Sequence, residues 1–449
     1  MRIAGIFIIP FFALVLSAPA QPVNEPRKMT LQECISIAAR QNANVLQAEF
    51  QAETQDAKLL SAYGNFLPSL SASGQFSRQD NTFQTQVFIQ GIPISTSGRN
   101  IANNYSGGLS ASYTFFDGFA NIGNLNLARK GSEAYSFNYK RARQSAIYQA
   151  TQLYLTVLQD RELMKVSEDN LKRDQRQLEK IKTSYSVGSA SIADVYSQET
   201  AVSNDKFQLV QAQNNYENAQ ANLKFFLGLN VAEKIDFVDP TLASEIDTTE
   251  FARVNQQFSR VAELLEKAYE SRPDYIASRL NVEASEAQKT VAKAMYYPTV
   301  SGFAQYNLSG TQINQVDQNK RFYLGLSISL PIFNGFQTQS QIDQANVAVK
   351  SAQQNLDVVR RQVQLDVYQA LLNLHAAENQ YEAALNGVQS AKLSQQTAEE
   401  KYNIGSGTLL DLLTANAQYT IALSNRVQAA YAYINAKKAV EFALGIINQ

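Results

Sequence analysis

Two aspartates, Asp194 and Asp411, occupy matching surroundings along the chain and carry the most chemistry it offers. Asp194 follows Tyr185-Ser186-Val187-Gly188-Ser189, and Asp411 follows Tyr402-Asn403-Ile404-Gly405-Ser406. A carboxylate just past a glycine turn is fixed negative charge, and in the first turn of a helix it complements the dipole. Other chemistry is scarce. His375 and Cys34 are the sole histidine and cysteine, which leaves no zinc constellation, disulfide framework or histidine-based triad. Glu399-Glu400 reads as a solvated helix face, and no Gly-rich phosphate loop or nucleophile elbow is present. The chain is therefore expected to be no enzyme, with no cofactor and no metal site. A net charge of −1 supplies no field for nucleic acid.

The elements around these aspartates are duplicated. Phe116-Asp117-Gly118-Phe119 returns as Phe333-Asn334-Gly335-Phe336, and Phe226-Leu227-Gly228 as Ala443-Leu444-Gly445, at an offset of 217 residues. So long a period implies two half-molecules side by side. Residues 119–184 and 337–403 lack proline and are rich in helix formers, so each predicts a helix of roughly 100 Å at 1.5 Å per residue. Leu356, Val359, Val363, Val367, Leu371 and Leu374 form an apolar stripe at helical spacing. Gly188 and Gly405 are C-terminal turn glycines, with Ser191 and Thr408 as N-caps of return helices near 192–227 and 409–444.

Four other segments alternate with period two: near 67–77, 105–116, 298–308 and 322–332. Each has an apolar face and a small-polar face, as a membrane β-barrel requires. The first pair is separated by thirteen extra residues around Asn81 to Arg99, read as a polar outer loop. Four strands cannot close a sheet in lipid, where unpaired backbone groups cost several kcal/mol each. Further copies of the chain must supply the rest. Residues 1–20 have a positive start, an apolar run and Ala18-Pro19-Ala20, which reads as a cleaved signal peptide. The expected domains are 21–228 and 257–449 as structural repeats, joined by a linker at 229–256.

In order, spacing and duplication these motifs resemble the TolC family of outer-membrane efflux and secretion channel proteins. The resemblance rests on Leu31-Gln32-Glu33-Cys34-Ile35 with Asn42 and Asn44, on Phe66-Leu67-Pro68-Ser69-Leu70, on the Phe116 and Phe333 turns, and on Tyr402 through Leu413. It covers nearly all of the chain beyond the signal. The resemblance implies a mainly α fold with β. Antiparallel helical hairpins form a periplasmic α-barrel below a 12-stranded β-barrel shared by a homotrimer in outer-membrane lipid of a Gram-negative bacterium. It implies partners too: a periplasmic adaptor and an inner-membrane transporter of RND, ABC or MFS type, exporting small molecules or proteins.

By the same resemblance Asp411, Asp194, Tyr402 and Thr414 stand at the periplasmic constriction. Thr414 occupies the place of a second aspartate, and Gly407 that of an arginine, so part of the family's acidic ring and latch is missing. Val187, Gly188, Ser189, Ile404, Gly405 and Ser406 stand where the adaptor docks. Carboxylates converging on a narrow axis repel one another and attract cations. Both aspartates retain the plainer reading as N-terminal helix charges. The alternative for the whole chain is a periplasmic coiled-coil adaptor, which would carry one hairpin rather than two. No Met or His cluster favours a metal cargo.

Overall fold

The computed structural model of the chain describes residues 27–238, 246, 249–258 and 260–447. The signal peptide expected at 1–20 lies outside them. In order the elements are β1 (Arg27–Met29), α1 (Leu31–Gln41), α2 (Ala43–Gly64), β2 (Ser69–Ile89), β3 (Ile92–Asp117), α3 (Ala120–Ser186), α4 (Ile192–Phe226) and β4 (Ile235–Phe237). They continue with α5 (Thr249–Gln257), α6 (Val261–Ser271), α7 (Pro273–Ala294), β5 (Thr299–Gly310), a 3-10 turn (Ile313–Gln318), β6 (Asn319–Ser329), α8 (Gln337–Asn403) and α9 (Leu409–Ala443).

The duplication is carried into three dimensions at matching boundaries. α3 and α8 are each 67 residues long, and α4 and α9 are each 35. Helices this long need partners along their whole length. α3 is covered by α2 and α7 over its first half and by α4 over its second, while α9 joins it to the other half-molecule. Ser132 bonds to Asp56 of α2 at 2.5 Å, and Lys130 pairs with Glu283 of α7 at 2.8 Å. Gln198 of α4 donates to the Asp174 carbonyl at 3.1 Å.

Equivalent core slots are filled differently in the two halves. Val363, Val367, Leu371 and Leu374 on α8 match Ala146, Ala150, Tyr154 and Val157 on α3, and all eight are buried. The alanines of α3 make room for α1, whose Cys34 and Ala38 join the same cluster. Cys34 is wholly buried, and burial pushes its thiol up to about 12. β1 pairs in parallel with β4 at the edge of this cluster.

The second sheet is antiparallel in the order β2-β3-β5-β6. One face carries Ser69, Ser71, Ser110 and Ser112, whose hydroxyls meet in pairs at 2.7 and 2.6 Å. The other carries Leu70, Leu109, Leu324, Leu326 and Ile328, all more than half exposed. Aromatic pairs lie at both ends of that apolar face. Phe76 meets Tyr105 at 4.8 Å, and Tyr113 meets Phe115 at 4.9 Å, as in the girdles of membrane barrels. Tyr323 pairs with Gln305 on the serine face. No helix is long and apolar enough to cross a membrane among the described residues.

Two strand boundaries differ from the sequence reading. The segment from Asn81 to Arg99 is not an irregular loop. β2 and β3 stay in register through Ile89↔Ile92, closed by Gln90 and Gly91 at φ 52° and 86°. Two consecutive positive φ values suit a tight hairpin turn, and alternating Thr, Phe, Val and Ile keep the ladder extended. β6 spans Asn319–Ser329 rather than 322–332, because Pro331 has no N–H to donate.

Candidate functional site

The two hairpin tips are built alike. α3 and α8 each end in a turn where the glycine amide donates to the carbonyl three residues back (Gly188 to Tyr185, 2.9 Å; Gly405 to Tyr402, 3.1 Å). The next serine amide reaches five residues back, to Ser184 at 2.8 Å or Lys401 at 2.9 Å. This Schellman pattern needs a left-handed residue at the glycine, and φ is 80° at Gly188 and 73° at Gly405. Ser189 and Ser406 add side-chain bonds to the same carbonyls. Val187 and Ile404 are thrown outward, 75% and 78% exposed. An apolar side chain beside a bare glycine therefore marks each tip.

Both aspartates sit in capping boxes. The Ser191 amide and hydroxyl donate to Asp194 at 3.0 and 2.8 Å, and the Asp194 amide returns to Ser191 Oγ at 3.1 Å. The corresponding distances for Thr408 and Asp411 are 3.2, 2.7 and 3.2 Å. One carboxylate oxygen of each is thus committed to the cap. Asp411 is exposed, and the bonds from Thr408 hold its carboxyl below the usual range. It keeps a free oxygen and its charge over the whole physiological range.

The remaining predicted residues divide between two concavities. Asp194 and Tyr402 line one, with Gly405 and Gly407. Burial and then the Asp194 charge raise the Tyr402 phenol. Tyr402 also rests on a small apolar cluster of Ile181, Val195 and Leu409 that ties the two tips together. Asp411 and Thr414 line the other, with Lys401 and Ser406. Thr414 spends its hydroxyl on the Leu410 carbonyl at 2.8 Å. The tips are therefore brought together, but Asp194 and Asp411 face different recesses. A Cβ at Gly407 would lie 3.0 Å from Lys401 Cβ, so a larger residue there must displace that lysine.

Sequence reasoning missed a buried polar cluster deeper in the bundle. Asp174 replaces an apolar residue in the run Leu171, Leu178, Ile181, which was the available signal. Its carboxyl interacts with that of Asp205 of α4 and accepts from Asn416 of α9 at 3.4 Å. Asn170 donates to Asp205 at 2.6 Å, and Thr420 of α9 is tied to Arg173 and Asn170 at 2.8 and 2.7 Å. The cluster thus links both hairpins. Burial, then the Asp174 charge, raises Asp205 to about 7. A carboxyl raised on folding costs no stability below its unfolded value, and stability is lost progressively as pH rises from there through the folded value. Amide exchange in α4 near Gln198–Gln208, corrected for intrinsic rate, is expected to be severalfold faster at pH 8 than at pH 6. Asp205→Asn should remove that difference; an unaltered pH dependence in the variant would rule the pair out as its source.

Residues 34–229 and 264–446 match the family described as outer membrane efflux protein. The chain belongs to that family. It is 25% identical to the outer membrane protein TolC of Salmonella enteritidis over 360 residues, which is 78% of this chain and 70% of the relative. It is 24% identical to the outer membrane efflux protein BepC of Brucella suis over 430 residues, covering 92% and 90%. Among solved structures, VceC of Vibrio cholerae superposes with a TM-score of 0.76 at 17% identity over 92% of this chain and 96% of that one. The chain is an outer-membrane efflux channel protein of the TolC type, with long periplasmic helices. Family membership carries the channel reading and leaves the adaptor alternative without support.

Proposed function

We propose that three copies close the four-stranded sheet into one 12-stranded barrel, and that the helical hairpins continue it as a tunnel through the periplasm. The observation that carries this is the sheet itself. β2 and β6 end it with unpaired edges, while Leu324, Leu326 and Ile328 present an apolar face that only lipid suits. Eight strands from two copies would leave an interior filled by side chains, whereas twelve leave room for a pore. The serine face then lines water. In this reading residues 1–20 are a signal peptide, 21–228 and 257–449 the two repeats, and 229–256 the equatorial linker.

The tips form the periplasmic gate. Three Asp411 carboxylates near the axis, with Thr414 behind them, make a cation-attracting ring, and Asp194 with Tyr402 links neighbouring hairpins. Val187, Gly188, Ser189, Ile404, Gly405 and Ser406 receive a periplasmic adaptor, itself coupled to an inner-membrane transporter of RND, ABC or MFS type. Cargo is small toxic molecules or proteins, with the choice made by that transporter.

Unboiled protein from outer-membrane fractions should migrate as a heat-sensitive trimer and conduct in planar bilayers. Asp411→Asn keeps a cap acceptor for Thr408 and removes the charge. It should lower cation selectivity severalfold and weaken block by multivalent cations, and Asp411→Ala should do the same. A monomer without conductance would defeat the channel proposal. A conducting trimer with unchanged selectivity would defeat only the role of Asp411.

A further inference from the structure

The outer half of the first strand hairpin turns its apolar side the opposite way from the membrane half. Between β2 and β3 the register is unbroken, so directly opposed residues share a face along the whole ladder. In the membrane half, Ser69, Ser71, Ser73 and Gln75 lie on one face, and Leu70 and Phe76 on the other. Beyond the rim, Phe83, Val87, Ile92 and Ile94 continue the serine face. Thr82, Gln84, Gln86 and Arg99 continue the lipid face, with Phe88 opposite Pro93 at the turn. The Asp80–Arg99 ion pair lies on that outer face, where the reversal occurs. Phe83 lies across Gly98 on the inner one.

We propose that this inner apolar face docks on the same face of the hairpins from the other copies of this chain, forming a hydrophobic constriction over the outer mouth of the pore. The inference rests on the trimeric barrel proposed above. With the serine face turned to the lumen, continuity of register points Phe83, Val87, Ile92 and Ile94 toward the pore axis. Within a single chain they stay 46–65% exposed. The patch is continuous with β2, the edge strand whose open side a second copy must pair in that barrel. Reach also suffices. Nine residues beyond Asn81 span roughly 30 Å at about 3.3 Å each, against a radius of roughly 12 Å for twelve strands spaced about 4.8 Å and tilted about 40°. The second repeat has no such element: β5 and β6 are joined by the short 3-10 turn Ile313–Gln318.

Cysteine cross-linking tests the contact, since Cys34 is buried and its thiol is pushed up to about 12. In unboiled trimers, Val87→Cys treated with a short bis-maleimide should give covalently joined chains. Gln86→Cys, one residue away on the opposite face, should not. A Phe83→Ser, Val87→Ser, Ile94→Ser variant should conduct severalfold more than the parent. Trimers in which Val87→Cys joins no better than Gln86→Cys overturn the proposal while leaving the barrel intact. So does preferential joining of Val87→Cys to Ile313→Cys within one chain, which would make that turn the occupant. Absence of any trimer overturns the barrel reading and this contact with it.

Discussion

Replacing Arg272 with alanine is expected to destabilise the chain by about 3 kcal/mol, the lower end for breaking a buried ion pair, because its partners keep some solvent. Arg272 has 2% side-chain exposure, against 30% for Asp274 and 29% for Asp366. Its guanidinium bonds to Asp274 at 3.0 and 2.5 Å, to Asp366 at 2.8 Å and to the Ala443 carbonyl at 3.3 Å. These bonds hold α7, α8 and the end of α9 at one point. Arg141 of α3 approaches the same Asp274 at 3.6 Å, and burial lowers it to about 10. It cannot replace Arg272, because it is already spent on the Phe442 carbonyl and ring. Burial alone would raise the Asp274 carboxyl, but the Arg272 bonds, the Arg141 and Arg272 charges and the Tyr275 amide together outweigh it and hold it low. Its stabilisation is therefore present above the unfolded carboxylate range and is lost as pH falls through the lowered value. Thermal unfolding followed by circular dichroism should show a lower midpoint for Arg272→Ala. Arg272→Lys should recover part of it, having the charge but not the planar fork. A midpoint unchanged by alanine would show that the network contributes nothing net.

Export should be abolished by Gly405→Val while trimers persist, and Gly188→Val should act in the same direction. A Cβ at either glycine meets nothing within 4 Å in this chain, so added bulk intrudes only on a partner. The cost inside the chain is the left-handed backbone, about 1–2 kcal/mol for an L residue. Asparagine tolerates that conformation, so Gly405→Asn adds bulk at little strain. Drug or protein export in cells carrying each variant, with unboiled migration as the control, separates the two causes. Failure of both Val and Asn variants assigns the effect to docking. Failure of Val alone assigns it to the turn. Normal export in both removes the tip from the docking surface.

Much of this architecture follows from local pattern. The helix limits at Ile192 and Leu409 were legible because Ser191 and Thr408 are N-caps with an acidic residue three positions on. The turns at Gly188 and Gly405 were legible because glycine takes that φ most cheaply. The alternation of serine with leucine assigned the two faces of the sheet. What escaped depends on distance. Asp174 is an ordinary helix aspartate until α4 and α9 enclose it and bring Asp205 against it. Arg272 is one arginine among many until three helices converge on it. The outer hairpin has the composition of a loop because Gln, Thr, Asn and Ser dominate it, whereas its strand character comes from pairing across the Gln90–Gly91 turn.

For Asp194 and Asp411, the sequence by itself determined that each would stand at a helix start beyond a glycine turn, twice, 217 residues apart. Short-range hydrogen bonding and backbone sterics fix such features without reference to the rest of the chain. The tertiary structure alone decided that the two tips meet through Ile181, Val195 and Leu409. It also brought Asp194 beside Tyr402 and left Asp411 in a separate recess. That outcome depends on how two pairs of long helices pack side by side. Small differences in crossing accumulate along 35 to 67 residues, and no local spacing encodes where they end.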